Sequence, residues 1–197
     1  MTLSPERNGR LTASLFASAI GIGYDSRQKL WRQLTGREER FQGNAHTQWG
    51  SDHEKDAVTA YEVATGDMVM YSGKRQQFLI HDEHDWLGCT PDGIIYKGQE
   101  SLILEAKCPS SMELYGTIPD HYMPQVQGQM EISGLKKAHF VCWTPEKLEV
   151  FEVEKNQDYW QECFNLLSDF WACVQEDKEP KRQKKPTLPK VKFERIV

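Results

Sequence analysis

The stretch from Gly88 to Pro109, GCTPDGIIYKGQESLILEAKCP, constrains the fold more than any other part of the chain. Two apolar runs, Ile94-Ile95-Tyr96 and Leu102-Ile103-Leu104, read as strands, and Lys97-Gly98-Gln99 between them reads as a turn. Side chains alternate faces along a strand, so Glu105 and Lys107 share one face and Ala106 takes the other. Asp92 stands just before the first strand, and a hairpin brings it close to Glu105. Two carboxylates and a lysine at one sheet end form a hard-cation site beside a general base or proton donor. Metal-dependent phosphodiester cleavage needs this combination.

At 197 residues, with 39% hydrophobic and 27% charged residues, the chain is long enough for one domain with a full core. Residues 1–177 read as that domain. Residues 178–197, KEPKRQKKPTLPKVKFERIV, shift to Lys and Pro and read as a basic tail or extended segment. There is no apolar run of about 18 residues, the length a membrane helix needs. The polar start, Met1 to Arg10, does not resemble a signal peptide. Both point to a cytoplasmic protein with no membrane partner. The five cysteines are odd in number and contain no CxxC pair. Reduced thiols follow, rather than a disulfide framework or a zinc site.

The formal net charge is -5, yet the last twenty residues hold eight Lys/Arg and two Asp/Glu, a local +6 that leaves -11 on the rest. An acidic body can still bind DNA when its carboxylates hold metal ions and its basic groups line one channel.

Elsewhere the patterns predict an α/β fold. Helices are expected at Leu15 to Ile20 (capped by Thr12 or Ser14), Ser26 to Leu34, about Gln48 to Ala64, Ser111 to Tyr115, His121 to Ser133 and Tyr159 to Val174. A helix start near Arg7 and Arg10 offers an anion site. Met68 to Tyr71 and Gln76 to Ile80 read as strands joined through Ser72-Gly73. Ala138 to Trp143 and Leu148 to Val153 read as a second pair, turning at Thr144-Pro145-Glu146. The cluster His81-Asp82-Glu83-His84-Asp85 reads as a solvated turn rather than a metal site. On their own, Glu54, His53 and Gln125 read as ordinary helix-surface residues.

Five blocks occur in a telling order: RNGRLTAS, WGSDHEKDAVTAYE, CTPDGII, LILEAKCP and YMPQVQGQM. With these gaps the chain resembles the lambda-exonuclease/YqaJ family of recombination nucleases, within the PD-(D/E)xK superfamily. The resemblance implies a central mixed β-sheet flanked by helices, a restriction-endonuclease-like core. It implies Asp92 and Glu105 as metal-binding carboxylates, the Ala106 carbonyl as a further ligand, and Lys107 as the catalytic lysine. Glu54 and Gln125 would line the active centre. Arg7 and Ser14 would hold a terminal 5′-phosphate, with Thr90 at a small-hydroxyl phosphate position. Glu113, six residues past Lys107, departs from the pattern, because the family's best-known member has an arginine there.

The function so implied is a Mg²⁺-dependent 5′→3′ exonuclease, with Mn²⁺ as a substitute metal. Its substrate would be double-stranded DNA ends, its partner a single-strand annealing protein, and its assembly a homotrimer. Two alternatives are a structure-specific or restriction-type endonuclease on the same core and a non-catalytic DNA-end-binding protein. A Cas4-like protein is disfavoured, since no cysteine cluster serves an iron–sulfur centre.

Overall fold

The computed structural model describes residues 5–197; part of the polar start lies outside them. In chain order its elements are β1 (Leu11–Thr12), α1 (Phe16–Ala19), α2 (Arg27–Leu34), α3 (Ala45–Thr65), β2 (Met68–Met70), β3 (Leu79–Ile80), β4 (Leu87–Cys89), β5 (Gly93–Lys97), β6 (Glu100–Lys107), α4 (Met123–Ser133), β7 (Lys137–Trp143), β8 (Leu148–Glu154), α5 (Gln157–Gln175) and β9 (Phe193–Arg195). The expected hairpin forms from β5 and β6, with Gly93 opposite Leu104 and Lys97 opposite Glu100. Gly98 makes its turn at φ +64°, a left-handed conformation that disfavours other residues.

The main sheet has the order β2-β5-β6-β7-β8-β9. Its neighbours are antiparallel except β6 and β7, which run parallel. A parallel pair needs a crossover, and α4 lies in the connection that supplies it. A smaller sheet, β1-β4-β3, carries the N-terminal strand.

The period-2 pattern of β6 divides the core. Leu102, Leu104 and Ala106 pack with Ala57, Val58 and Tyr61 of α3. Ile103 packs on the opposite face, with Val126 and Met130 of α4 and Trp160 and Leu167 of α5. Each such fully buried aliphatic or aromatic side chain contributes about 1.5–3 kcal/mol of transfer free energy. Helix ends follow their capping residues. Asn44 and Thr47 form a reciprocal capping box at α3, and Gly66 closes it at φ +74°. Ser26 caps α2 and Asn156 caps α5 through side-chain oxygens.

Several local expectations are corrected. Helix α1 is a single turn, preceded by a 3-10 turn at Ala13–Leu15, and neither Thr12 nor Ser14 caps it. Their hydroxyls lie 3.3 Å apart instead. With no long helix behind it, the start of α1 has little dipole to offer an anion. Helix α3 begins three residues earlier than expected because Asn44 is the stronger cap. Strands β2 and β3 do not pair: Tyr71 turns into the left-handed region at φ 57°, and a 3-10 turn at Gly73–Arg75 carries the chain to the second sheet. No helix forms from Ser111 to Tyr115, where Met112 and Gly116 both take positive φ.

His81 accepts backbone N–H groups of Glu83 and His84, as a turn residue would. All five cysteines are free thiols. Among the described residues no helix is long and apolar enough to cross a membrane. The segment after α5 lies along the body. Pro180 is buried, Gln183 donates to Ile20 O, Leu188 and Val191 pack on the core, and β9 extends the sheet.

Candidate active site

Strand β6, helix α4 and the residue before β5 meet at one end of the large sheet. The Asp92 N–H donates to Leu104 O at 3.1 Å, which seats the residue against β6. Its Oδ2 accepts the Ala106 N–H at 2.8 Å. Glu105 and Lys107 share the β6 face that α4 covers, and Lys107 Nζ donates to Glu105 Oε1. From α4, Gln125 Nε2 donates to the same oxygen at 2.5 Å, while its Oε1 lies 3.5 Å from Lys107 Nζ. Glu54 enters from α3. The structure therefore brings Glu54, Asp92, Glu105, Ala106, Lys107 and Gln125 to one place.

Two further glutamines belong to it. Gln76 Nε2 stands between carboxylates, 2.7 Å from Glu54 Oε1 and 3.3 Å from Asp92 Oδ1. Gln129 Nε2 donates to Glu105 Oε2 at 2.6 Å, and both side chains are buried. Gln129 follows Gln125 by one helical turn, a spacing that puts both on one face. That signal was available in QVQGQM. Gln76 gave none, because the turn that delivers it has no periodic pattern.

Three carboxylates here share one ammonium. Burial, and then the charge of Glu105, raise the Asp92 carboxyl well above its ordinary range. The same two causes, in the same order, raise Glu54. Burial works to lower the Lys107 ammonium, but the charges of Glu105 and Asp92 outweigh it and raise the group. Lys107 is thus held as an ammonium that donates to Glu105.

Surplus negative charge and an all-oxygen donor set fit a hard divalent cation such as Mg²⁺ or Mn²⁺. Asp92, Glu105 and the main chain at Ala106 are the groups that would hold it. Among the described residues, no three His, Cys, Asp or Glu side chains close on one point. Gln76 separates Glu54 from Asp92, and Glu105 faces its lysine and two glutamines.

Arg7 Nη2 donates to Thr90 Oγ1 at 2.7 Å, so two of the expected phosphate residues meet. The guanidinium also lies over the Phe78 ring, 5.8 Å from its centroid. Ser14 is exposed and hydrogen-bonds neither of them; its hydroxyl contact is Thr12. Glu113 is exposed in the connection between β6 and α4. His53 is not part of the cluster: its ring stacks on Trp49 at 3.7 Å and its Nδ1 faces Trp49 O at 2.9 Å.

This mixed sheet flanked by helices is similar to the fold of solved exonucleases. An alkaline exonuclease from Laribacter hongkongensis is 25% identical, with a TM-score of 0.73 over 87% of this chain and 90% of that one. The structure of that enzyme with dAMP aligns at 23% identity, a TM-score of 0.73 and the same coverage. A phage-related exonuclease from Haemophilus somnus 129PT shares the fold at 15% identity and a TM-score of 0.59, over 85% of this chain and 92% of that one. No curated protein sequence matches. The YqaJ-like viral recombinase domain matches residues 4–136, and the chain belongs to that family.

Proposed function

We propose that the protein is a Mg²⁺-dependent 5′→3′ exonuclease, for which Mn²⁺ can substitute. It would degrade one strand of linear double-stranded DNA to nucleotides and leave 3′ single-stranded overhangs for recombination by annealing. The observation that carries this reading is the convergence of Asp92, Glu105 and a charged Lys107 at one sheet end. It is supported by family membership and by the likeness to a protein named an alkaline exonuclease. Within the reading, a single-strand annealing protein is the partner, a homotrimer the assembly and the cytoplasm the location.

Asp92, Glu105 and the Ala106 carbonyl would hold a divalent cation, which when bound would supply Lewis acidity toward the scissile phosphate. Lys107 donates a hydrogen bond to the attacking water or to a phosphate oxygen, and its fixed charge offsets the negative charge that builds there. Gln125 and Gln129 hold the Glu105 carboxylate in one orientation. Glu54 and Gln76 close the bowl on the α3 side. Arg7, Thr90 and Ser14 would receive a terminal 5′-phosphate, which sets the polarity of digestion.

The test is digestion of linear and covalently closed circular duplex DNA by wild type and Lys107→Ala, with Mg²⁺ or Mn²⁺. The expected result is loss of linear DNA with wild type only, and intact circles throughout. Cleaved circles would establish the endonuclease instead. Linear DNA untouched by wild type would leave only a binding protein.

A further inference from the structure

A run of aromatic rings leads from Lys107 to solvent. Lys107 Nζ lies 5.0 Å from the centroid of Tyr122. Tyr122 packs on Tyr115, with their hydroxyls 3.3 Å apart, and on His121, with centroids 4.1 Å apart. Tyr24 meets His121 edge-on, with centroids at 4.7 Å and planes at 65°. The outermost ring, Tyr24, is 84% exposed.

That exposure is not the result of a loose loop. The N–H groups of Ile22 and Gly23 both donate to Ala17 O, at 2.8 and 2.9 Å. A Cβ on Gly23 would overlap Ser18, so the bend closes tightly on α1. On the other side, Ser26 caps α2, and Asp25 pairs with Lys29 at 2.8 Å. Tyr24 therefore stands on a bend anchored at both ends, with its ring in water. A ring held this way loses little conformational freedom when something stacks on it.

The ring's neighbours are also suited to a flat, uncharged group. Burial first, and then the Lys107 charge, lower the His121 imidazole, which keeps it neutral at pH 7. Its Nε2 is shielded from solvent and has no hydrogen-bond partner. The nearby Lys185 faces Asp120 at 3.9 Å, and what the bend itself offers is a π-face with a phenol, which a nucleobase can use.

We infer that Tyr24 is a stacking ledge for the base of the terminal nucleotide of the strand being cleaved, positioned relative to Lys107 by His121 and Tyr122. The inference rests on the nuclease reading of the same site. Because every base offers a π-face, the ledge would grip an end without selecting its sequence. It would also hold the terminal nucleotide apart from its complementary strand.

The test uses a 5′-phosphorylated linear duplex with 2-aminopurine as its terminal base, mixed with the full chain in EDTA. Stacking quenches 2-aminopurine fluorescence. Wild type and Tyr24→Phe should quench, and Tyr24→Ala should lose the quenching and bind the end about 5- to 150-fold more weakly. In a parallel assay with Mg²⁺, wild type should prefer a normal terminal nucleotide to an abasic one, and Tyr24→Ala should treat the two alike. Cleavage by wild type with undiminished quenching by Tyr24→Ala overturns the ledge and leaves the nuclease reading intact. Quenching that depends on Tyr24, without any cleavage, keeps the ledge and overturns the nuclease. Neither quenching nor cleavage by wild type overturns both.

Discussion

Among the described residues Gln129 alone hydrogen-bonds one oxygen of Glu105, with Nε2 2.6 Å from Oε2, while Lys107 and Gln125 share the other. Its own Oε1 is buried without a partner, so the amide serves the carboxylate and nothing else. Removing the donor leaves a buried charged oxygen unsatisfied. Gln129→Leu should destabilise the protein by about 1.5–3 kcal/mol, the range for hydrogen bonds to charged groups. It should lower kcat more than it raises KM, because the DNA is not touched directly. Thermal melts and steady-state digestion measure the two effects. An unchanged melting temperature would show that the contact contributes nothing.

The Arg7–Thr90 contact at 2.7 Å makes a second outcome specific. Wild type should degrade 5′-phosphorylated ends faster than 5′-hydroxyl ends. Arg7→Ala should lose about 10- to 100-fold in kcat/KM on phosphorylated ends, as expected for a charge-assisted hydrogen bond, and little on hydroxyl ends. Equal rates on both ends with wild type would remove the phosphate pocket.

Gly128 of α4 sits against the Phe16 ring of α1. A Cβ there would lie 2.5 Å from Phe16 Cε2 and 2.8 Å from its Cδ2. Phe16 is fully buried and cannot move aside. Overpacking of this kind costs about 1–3 kcal/mol, and a chain of this size loses roughly 2–4 °C per kcal/mol. Gly128→Ala should therefore melt several degrees lower, although alanine is the better helix former. A melting temperature at or above that of wild type would contradict the packing.

His139 is buried between Tyr61, whose hydroxyl is 2.7 Å from Nδ1, and Glu152, whose Oε2 is 3.2 Å from Nε2. Burial lowers the imidazole below 6.5 even though Glu152 pulls it upward. The folded state then binds fewer protons than the unfolded one. Stability is full above the unfolded value and falls as pH drops through 6.5 toward the lower native value. The slope is at most about 1.4 kcal/mol per pH unit for one proton. Glu152 is held below its usual 4.5, chiefly by Lys137, so its contribution is lost in the same direction at still lower pH. Burial raises the Asp92 and Glu54 carboxyls, which act in the opposite direction, so the fall is read as a difference. In urea titrations from pH 8 to 5, wild type should lose stability relative to His139→Gln as the pH drops.

Much of this was legible because it follows from periodicity. The hairpin that sets Asp92 beside Glu105 is fixed by two apolar runs and a glycine turn. The helix opening at Ser26 and the end of α3 before Gly66 are local chemistry, whereas the Asn156 cap went unread and α5 starts two residues before the expected Tyr159. What escaped depended on partners distant in sequence. Strand β2 left the pairing expected with β3 because β5 offered three antiparallel partners. Gln76 has no local pattern that marks it; only the folded chain places its amide between two carboxylates. Glu54 read as a surface carboxylate from its helix alone, and the five blocks taken together gave it a candidate role. Ser14 stayed on the surface because the helix it was expected to cap is one turn long.

The parallel joint between β6 and β7 also affects when the centre comes into being. Ile103 pairs with Ala138 only after the intervening chain, with α4 inside it, has folded back. Contacts so far apart in sequence form slowly, because loop closure must precede any gain from pairing. The hairpin can place Asp92 beside Glu105 early, but Gln125 and Gln129 arrive with the crossover. A partly refolded chain would hold its carboxylates with Lys107 but without the two glutamines of α4, and activity should return later than helix content. The connectivity thus sets an order of assembly in time: the cluster of carboxylates, lysine and glutamines is complete only once the crossover has closed.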